Sequence, residues 1–403
     1  KKLWKMCEED IYKKDYKGLY CVGCEMFYKE EELENGKCPD HKTEPEVVEE
    51  ENYFFEITSY KDELKEILES NQVNVFPEFR KNEALQFIDD LEDFSISRSQ
   101  ERAHGWGVEV PGGESQIMYV WFDALSNYIN ALDFAEDGEE FTNYWVQPNN
   151  ETREVIHMLG KGVSRFHLVY WLGMLLSADL PLPTEEFIHG YITVEGEKMS
   201  KSLGNVLNPH DLVDRFSTDS LRFYLLGAIS PFEDGDFSKD RFKKFYNAHL
   251  ANGVGNLTSR VLSMIEQYND GTIPEKSEGK LLSNDINKYL DNYQKNLEQY
   301  QFDRVVEAIN EAVSHCDNAI SEYKPWQKHK EGEDINNELY EMVEFLRIIA
   351  VMLLPVIPQS ASKILARLNI ETDQIGNLSE EKEWGRAEPG VEIETGDPLF
   401  PRI

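Results

Sequence analysis

Two short stretches of this chain carry residue types that can do chemistry. In "KMSKS", Lys198 to Ser202, two ammonium groups stand among small polar residues, directly after the apolar "FIHGYITV" and the turn-forming "EGE". Two such charges on a loop beside a strand end can close over a polyphosphate and neutralise the charge that develops as pyrophosphate leaves. A solvated turn is the competing reading of those five residues alone. The second stretch holds Cys21, Cys24, Cys38 and His41, as C-x-x-C, thirteen intervening residues and C-x-x-H. Soft-ligand pairs on tight turns, folded together by the loop between them, are what tetrahedral zinc needs, and four filled positions favour structure over catalysis. The glycines and polar residues in "GLYCVGC" and "NGKCPDH" suit such turns. Cys7 and Cys316 have no such neighbours and read as ordinary thiols.

The elements around these stretches divide the chain in three. At 403 residues it is long enough for two or three domains with their own cores. Residues 1–92 combine the cysteine cluster with a helical pattern, "YKDELKEILES". In residues 93–246 the strand-like runs "QIMYVWF", "EVIHMLG" and "EFIHGYITV" alternate with helical stretches such as "SRFHLVYWLGMLLSA". That is the alternation of a βαβ sheet, whose ligands sit at strand C-terminal ends. Residues 247–403 are nearly all helical in pattern, with apolar residues near 3.6 spacing from His249 and again from Ile335 to Leu368, as in an all-α bundle.

The net charge of −35, from 76 acidic against 41 basic side chains, argues against nucleic-acid binding over the whole surface, so any such site must be local. The longest apolar runs fall short of the ~20 residues that span a bilayer, and no signal peptide opens the chain, so a soluble, cytoplasmic protein is expected. Cysteines clustered in this way point to a metal site in a reducing compartment rather than to disulfides.

The lysine loop resembles the signature of class I aminoacyl-tRNA synthetases, and its surroundings narrow the resemblance. "YVWFDALSNYI", "GKGVSRFHLVYW", "HGYITVEGEKMSKSLGN", "NGVGNLTSR", "KPW" and "PLFPRI" together resemble the methionyl-tRNA synthetases over essentially the whole chain. The resemblance implies an α/β fold: the second half of a Rossmann-like catalytic domain, a zinc-knuckle connective insertion and an all-α anticodon-binding bundle. It implies that ATP, with Mg²⁺, activates L-methionine to methionyl-adenylate, and that the aminoacyl group passes to the 3′ end of tRNA(Met).

Carried over position by position, the resemblance makes Lys198, Ser200 and Lys201 the catalytic set, with Lys201 on the nucleotide. Gly160, His189, Gly190 and Ile192 match positions near ATP. A methionine site needs an apolar, aromatic-walled pocket, because a polarizable thioether gains from ring contacts. The family positions that line or gate it match Phe94, Trp121, Leu125, Tyr128, Val163, Phe166, His167 and Tyr170. Asn256, Arg260 and Trp326 match the positions that read a CAU anticodon, and they are the fork-shaped and stacking groups that unpaired bases require. Arg241, Lys243 and Lys244 could guide the RNA backbone, or could form a solvated helix face. Gly162 stands where many relatives carry aspartate, and Phe94 where some carry tryptophan.

The second class I signature, a histidine-containing motif in the first strand-helix unit, does not occur in this sequence. The expectation is that Lys1 begins inside the catalytic domain, that the first half of the nucleotide-binding fold is absent, and that the chain alone is inactive. The ending at "PLFPRI", without the domain that dimerises some relatives, implies a monomer. Three rivals are weighed. Leucyl, isoleucyl and valyl synthetases carry an editing insertion for which there is no room. A non-catalytic tRNA-binding paralogue, or one half of a split enzyme, would explain the missing motif and Gly162. A bare zinc-knuckle interaction protein leaves the other motifs unexplained.

Overall fold

The computed structural model describes all residues except 24–25, 40–41, 104, 147–153, 200–203 and 277–279. The chain divides into two compact units, Lys1–Ile188 and His189–Ile403.

In the first unit the longest strands, Ile11–Cys21 and Glu46–Phe55, form an antiparallel ladder, flanked by Met26–Tyr28 on one side and Phe94–Ser95 on the other. The sequence expectation for residues 1–92, a metal-stapled module with a helical continuation, leaves these strands out. Charged residues hide them: cross-strand ion pairs such as Lys17–Glu49 at 3.2 Å and Lys13–Glu51 at 3.0 Å take the place of an apolar alternation. The helix expected in "YKDELKEILES" is present as Lys61–Glu69, burying Leu64, Ile67 and Leu68.

A second sheet has the order Asn74–Phe76, Glu185–His189, Ile156–Gly160, and its first two strands run parallel. The expected strand "QIMYVWF" is corrected. The strand Gly113–Met118 ends there, Tyr119 in extended backbone caps the next element, and Val120–Leu125 is helical. The apolar run continues across the junction because Met118, Tyr119, Phe122 and Leu125 are all buried. In "SRFHLVYWLGMLLSA" a π-helical segment, Phe166–Trp171, leads into the α-helix Leu172–Ser177. Such wide turns recur at functional sites.

The second unit begins with a small sheet: the hairpin Ile192–Val194 with Glu197–Lys198, and Gly235–Phe237 parallel to its first strand. Gly190 precedes it where a Cβ would stand 2.1 Å from the Glu233 carbonyl oxygen, so only glycine allows this approach. The helices Pro209–Phe216, Thr218–Gly227 and Lys239–Phe245 start at Asn208, Ser217 and Ser238, each of which caps a backbone N–H with its side-chain oxygen.

The helical run continues through Tyr246–Gly255 into Asn256–Tyr268, and the bundle is completed by Ile286–Glu298, Phe302–Tyr323, Asn336–Leu353 and Pro358–Arg367. Asn336–Leu353 is buried almost all round. Its charged residues are fully engaged. Glu341 accepts the backbone N–H groups of Lys280, Leu281 and Leu282 at 2.7–2.9 Å. Arg347 bonds Glu344 and Glu381, each at 2.8 Å, while Glu344 also takes the N–H groups of Gly385, Arg386 and Ala387. Arg222 donates to the carbonyls of Pro355 and Val356, closing the turn beyond this helix. Among the described residues no helix is long and apolar enough to cross a membrane.

Candidate functional site

In the first unit the residues expected around methionine form one wall of rings. Phe94 stacks on Tyr170 with centroids 4.0 Å apart, Tyr170 meets Phe166 edge to face at 5.6 Å, and Phe166 stacks on Trp121 at 4.1 Å. Leu125 is buried in the core behind, with Val163 packed against it in part. This surface suits a thioether, which is attracted to ring faces and edges.

Tyr128, packed against the same core cluster, forms a polar pair with His167. The Tyr128 hydroxyl lies 2.7 Å from His167 Nε2, and His167 Nδ1 lies 3.0 Å from the Val163 carbonyl oxygen. A carbonyl only accepts, so Nδ1 carries the proton, Nε2 is the acceptor and Tyr128 donates to it. Burial holds the imidazole neutral, lowering its pKa from 6.5 to about 4.

The sign of the resulting stability change follows. The unfolded chain takes up a proton near pH 6.5 that the folded ring refuses until about 4, so this contribution is complete above 6.5 and is lost as pH falls toward 4. The stability gap between wild type and His167→Phe should therefore be smaller at pH 5 than at pH 7 in urea titrations. An equal gap at both would contradict the assignment. Tyr128→Phe leaves Nε2 without its donor and should cost about 1–3 kcal/mol of stability in the same titrations; an unchanged midpoint would contradict the hydrogen bond.

Behind this pair lies a feature that the sequence reading missed. His157 and Glu186, on neighbouring strands and both buried, share a hydrogen bond of 2.9 Å, and the His157 ring stacks on Tyr128 at 4.2 Å. Burial raises the Glu186 carboxyl above the usual range, and the bond to His157 partly opposes it. Only the strand alternation of "EVIHMLG" could have placed His157 inward. Gly160 ends that strand and begins the turn Lys161–Val163, where Gly162 is exposed.

His189, Gly190 and Ile192 belong to the second unit. His189 Nδ1 donates to the Gly190 carbonyl at 2.8 Å, and Ile192 pairs with Gly235. The turn "EG" is a two-residue hairpin loop with Glu195 at φ +53° and Gly196 at φ +83°, the left-handed pair that a type I′ turn demands. Lys198 pairs with Thr193 across it. Ser200 and Lys201 lie outside the described residues.

In the helical bundle, Arg260 donates to Asp317 at 2.7 Å and Ser321 at 3.0 Å, and its guanidinium lies 5.4 Å from the Trp326 ring centroid. Trp326 is 43% exposed, a ring available for stacking rather than the core residue its place after Pro325 suggests. Asn256 is exposed near the same helix's start, one turn before Arg260. The structure brings the three onto neighbouring helices. Of the basic cluster, Arg241 reaches Asp236 at 3.8 Å, and Lys244 is exposed.

Cys21 and Cys38 are buried together in a small cluster with Tyr28 and Leu33, whereas Cys24 and His41 lie outside the described residues. Among the described residues no group of three or more metal-ligating side chains occurs. Cys7 and Cys316 are core thiols, and burial pushes the Cys7 thiol up to about 12.

Comparison with known proteins extends this geometry. The family described as tRNA synthetases class I (M) matches residues 13–262, and the anticodon binding domain of methionyl tRNA ligase matches residues 269–403. The methionine–tRNA ligase of Caldanaerobacter subterraneus subsp. tengcongensis is 38% identical over 404 residues, 98% of this chain and 61% of that protein. The chloroplastic/mitochondrial enzyme of Arabidopsis thaliana is 38% identical over 411 residues, 98% of this chain and 65% of its own length. Mycobacterium tuberculosis methionyl-tRNA synthetase in complex with methionyl-adenylate superposes with a TM-score of 0.90 at 33% identity, covering 99% of this chain and 79% of that one. The chain thus spans somewhat less than two thirds of these two curated relatives. The matches lend no support to the expected loss of an N-terminal half or to inactivity. A class I catalytic domain, an anticodon-binding domain and matches along nearly the whole sequence lead to one conclusion: the chain belongs to the methionyl-tRNA synthetases of class I.

Proposed function

We propose that this chain acts as a methionine–tRNA ligase. Methionine would lie against the ring wall of Trp121, Phe166, Tyr170 and Phe94, with the Tyr128–His167 pair as its polar marker and Leu125 and Val163 behind. ATP, accompanied by Mg²⁺, would lie near Gly160, His189, Gly190 and Ile192. Lys198, Ser200 and Lys201 would stabilise the charge on the phosphates as the methionine carboxylate attacks the α-phosphate and pyrophosphate departs. The aminoacyl group then passes to the 3′ end of tRNA(Met).

The observation that carries the reading is the ring wall with its neutral Tyr128–His167 pair. It offers an apolar, polarizable surface with a neutral polar pair, which favours a thioether side chain over a polar one. At the other end of the work, Trp326 and Arg260 would stack on and hydrogen-bond the bases of a CAU anticodon, with Asn256 beside them. Cys21, Cys24, Cys38 and His41 would hold a zinc ion that staples the knuckle. The division of labour would fall between residues 1–92, 93–246 and 247–403, in the cytoplasm.

The test is methionine-dependent exchange of pyrophosphate into ATP. The reading predicts exchange that methionine supports and leucine does not. Equal exchange with leucine would refute the amino-acid assignment. No exchange with either, alongside intact tRNA binding, would favour the non-catalytic tRNA-binding rival.

A further inference from the structure

Asp236 sits where it can govern the segment that bears the lysines. Its strand, Gly235–Phe237, runs parallel beside Ile192–Val194, with Asp236 opposite Thr193. One carboxylate oxygen, Oδ1, accepts two hydrogen bonds from the hairpin: the Gly196 backbone N–H at 2.7 Å and the Thr193 hydroxyl at 3.0 Å. The other, Oδ2, faces Arg241 Nη1 at 3.8 Å. Gly196 and Glu195 are the two left-handed residues of the turn. A left-handed conformation costs a residue such as Glu195 about 1–2 kcal/mol, so this turn needs an external hold. The same neighbouring segment supplies more of it. Gly190 N–H donates to the Pro231 carbonyl, Tyr191 N–H to the Asp234 carboxylate, and Gly235 N–H to the Tyr191 carbonyl.

We propose that Asp236 is a positioning residue for the lysine segment: its Oδ1 fixes the Glu195–Gly196 turn, and so sets the course of the strand Glu197–Lys198 that follows it. A charge-assisted bond to a backbone N–H is among the stronger contacts available to a surface turn. The inference rests on the nucleotide-binding reading of the lysine loop. Asp236 touches neither substrate in this account and acts only through the turn.

Asparagine and alanine separate the possibilities. Asp236→Asn keeps an oxygen for Gly196 and Thr193 but removes the charge facing Arg241, whereas Asp236→Ala removes both. In the full chain, amide hydrogen exchange at Gly196 is expected to rise about tenfold in Asp236→Ala, as the loss of one such bond implies. It should stay within about twofold of wild type in Asp236→Asn and in Arg241→Ala. In pyrophosphate exchange, Asp236→Ala should lower kcat by about tenfold, leave the KM for methionine unchanged, and be rescued by asparagine. Unchanged amide exchange at Gly196 in Asp236→Ala would overturn the proposal, and so would an asparagine variant as impaired as the alanine one. If wild type itself fails to use ATP, the nucleotide reading of the loop falls, while the amide exchange still decides whether Asp236 holds the turn.

Discussion

Pyrophosphate exchange is expected to fall by about 10²–10³-fold when Lys201 is replaced by alanine, the loss that follows removal of one group aimed at developing charge. Lys198→Ala should cost less, because the hairpin holds the Lys198 backbone in a ladder opposite Thr193. The affinity of the chain for tRNA should be untouched by either change. The ammonium acts on charge that is largest in the transition state, so the loss should appear in kcat more than in the KM for methionine. A loss in KM for methionine alone would mean that the loop shapes the amino-acid pocket instead.

The second large effect concerns the helical bundle. Arg347→Ala is expected to destabilise that unit by about 3–5 kcal/mol, the usual cost of stranding a buried charge. Arg347 is 1% exposed, and its removal would leave Glu344, 0% exposed, without a cation and Glu381, 3% exposed, with Arg386 at 3.2 Å. Replacing Arg347, Glu344 and Glu381 together by apolar residues of similar volume should cost less but not nothing, because the buried charges go while the N–H groups of Gly385, Arg386 and Ala387 lose their acceptor. Urea unfolding of the three proteins checks this, and equal midpoints for wild type and Arg347→Ala would show that water reaches the site.

The parts of this account that were legible in the sequence share a physical property: their signal is local. "VEGEKMSKS" spells out a hairpin turn and the lysines after it, and the helices around Leu64 and Val261 announce themselves by their apolar spacing. What stayed hidden depends on partners distant along the chain. Asp236 looks like one more acid in an acidic protein until the fold sets it beside a turn forty residues earlier. His157 and Glu186 lie 29 residues apart and acquire meaning only as neighbours under Tyr128. The ladder Ile11–Cys21 with Glu46–Phe55 was hidden for another reason. Its charged cross-strand pairs erase the alternation by which a half-buried strand is recognised. The resemblance to a known family named candidate pocket residues, but it did not say which tautomer His167 adopts. That follows from the Val163 carbonyl.

The most direct measurement is binding of a tRNA with a CAU anticodon, compared with the same tRNA carrying one altered anticodon base, by this chain at moderate salt. The exposed Trp326 ring beside the Asp317-braced Arg260 predicts a preference for CAU of about tenfold or more, as loss of one stacked base implies, and its disappearance in Trp326→Ala. Equal binding of both tRNAs, or a preference that survives Trp326→Ala, would contradict the account of this chain as a ligase that recognises tRNA(Met) by its anticodon.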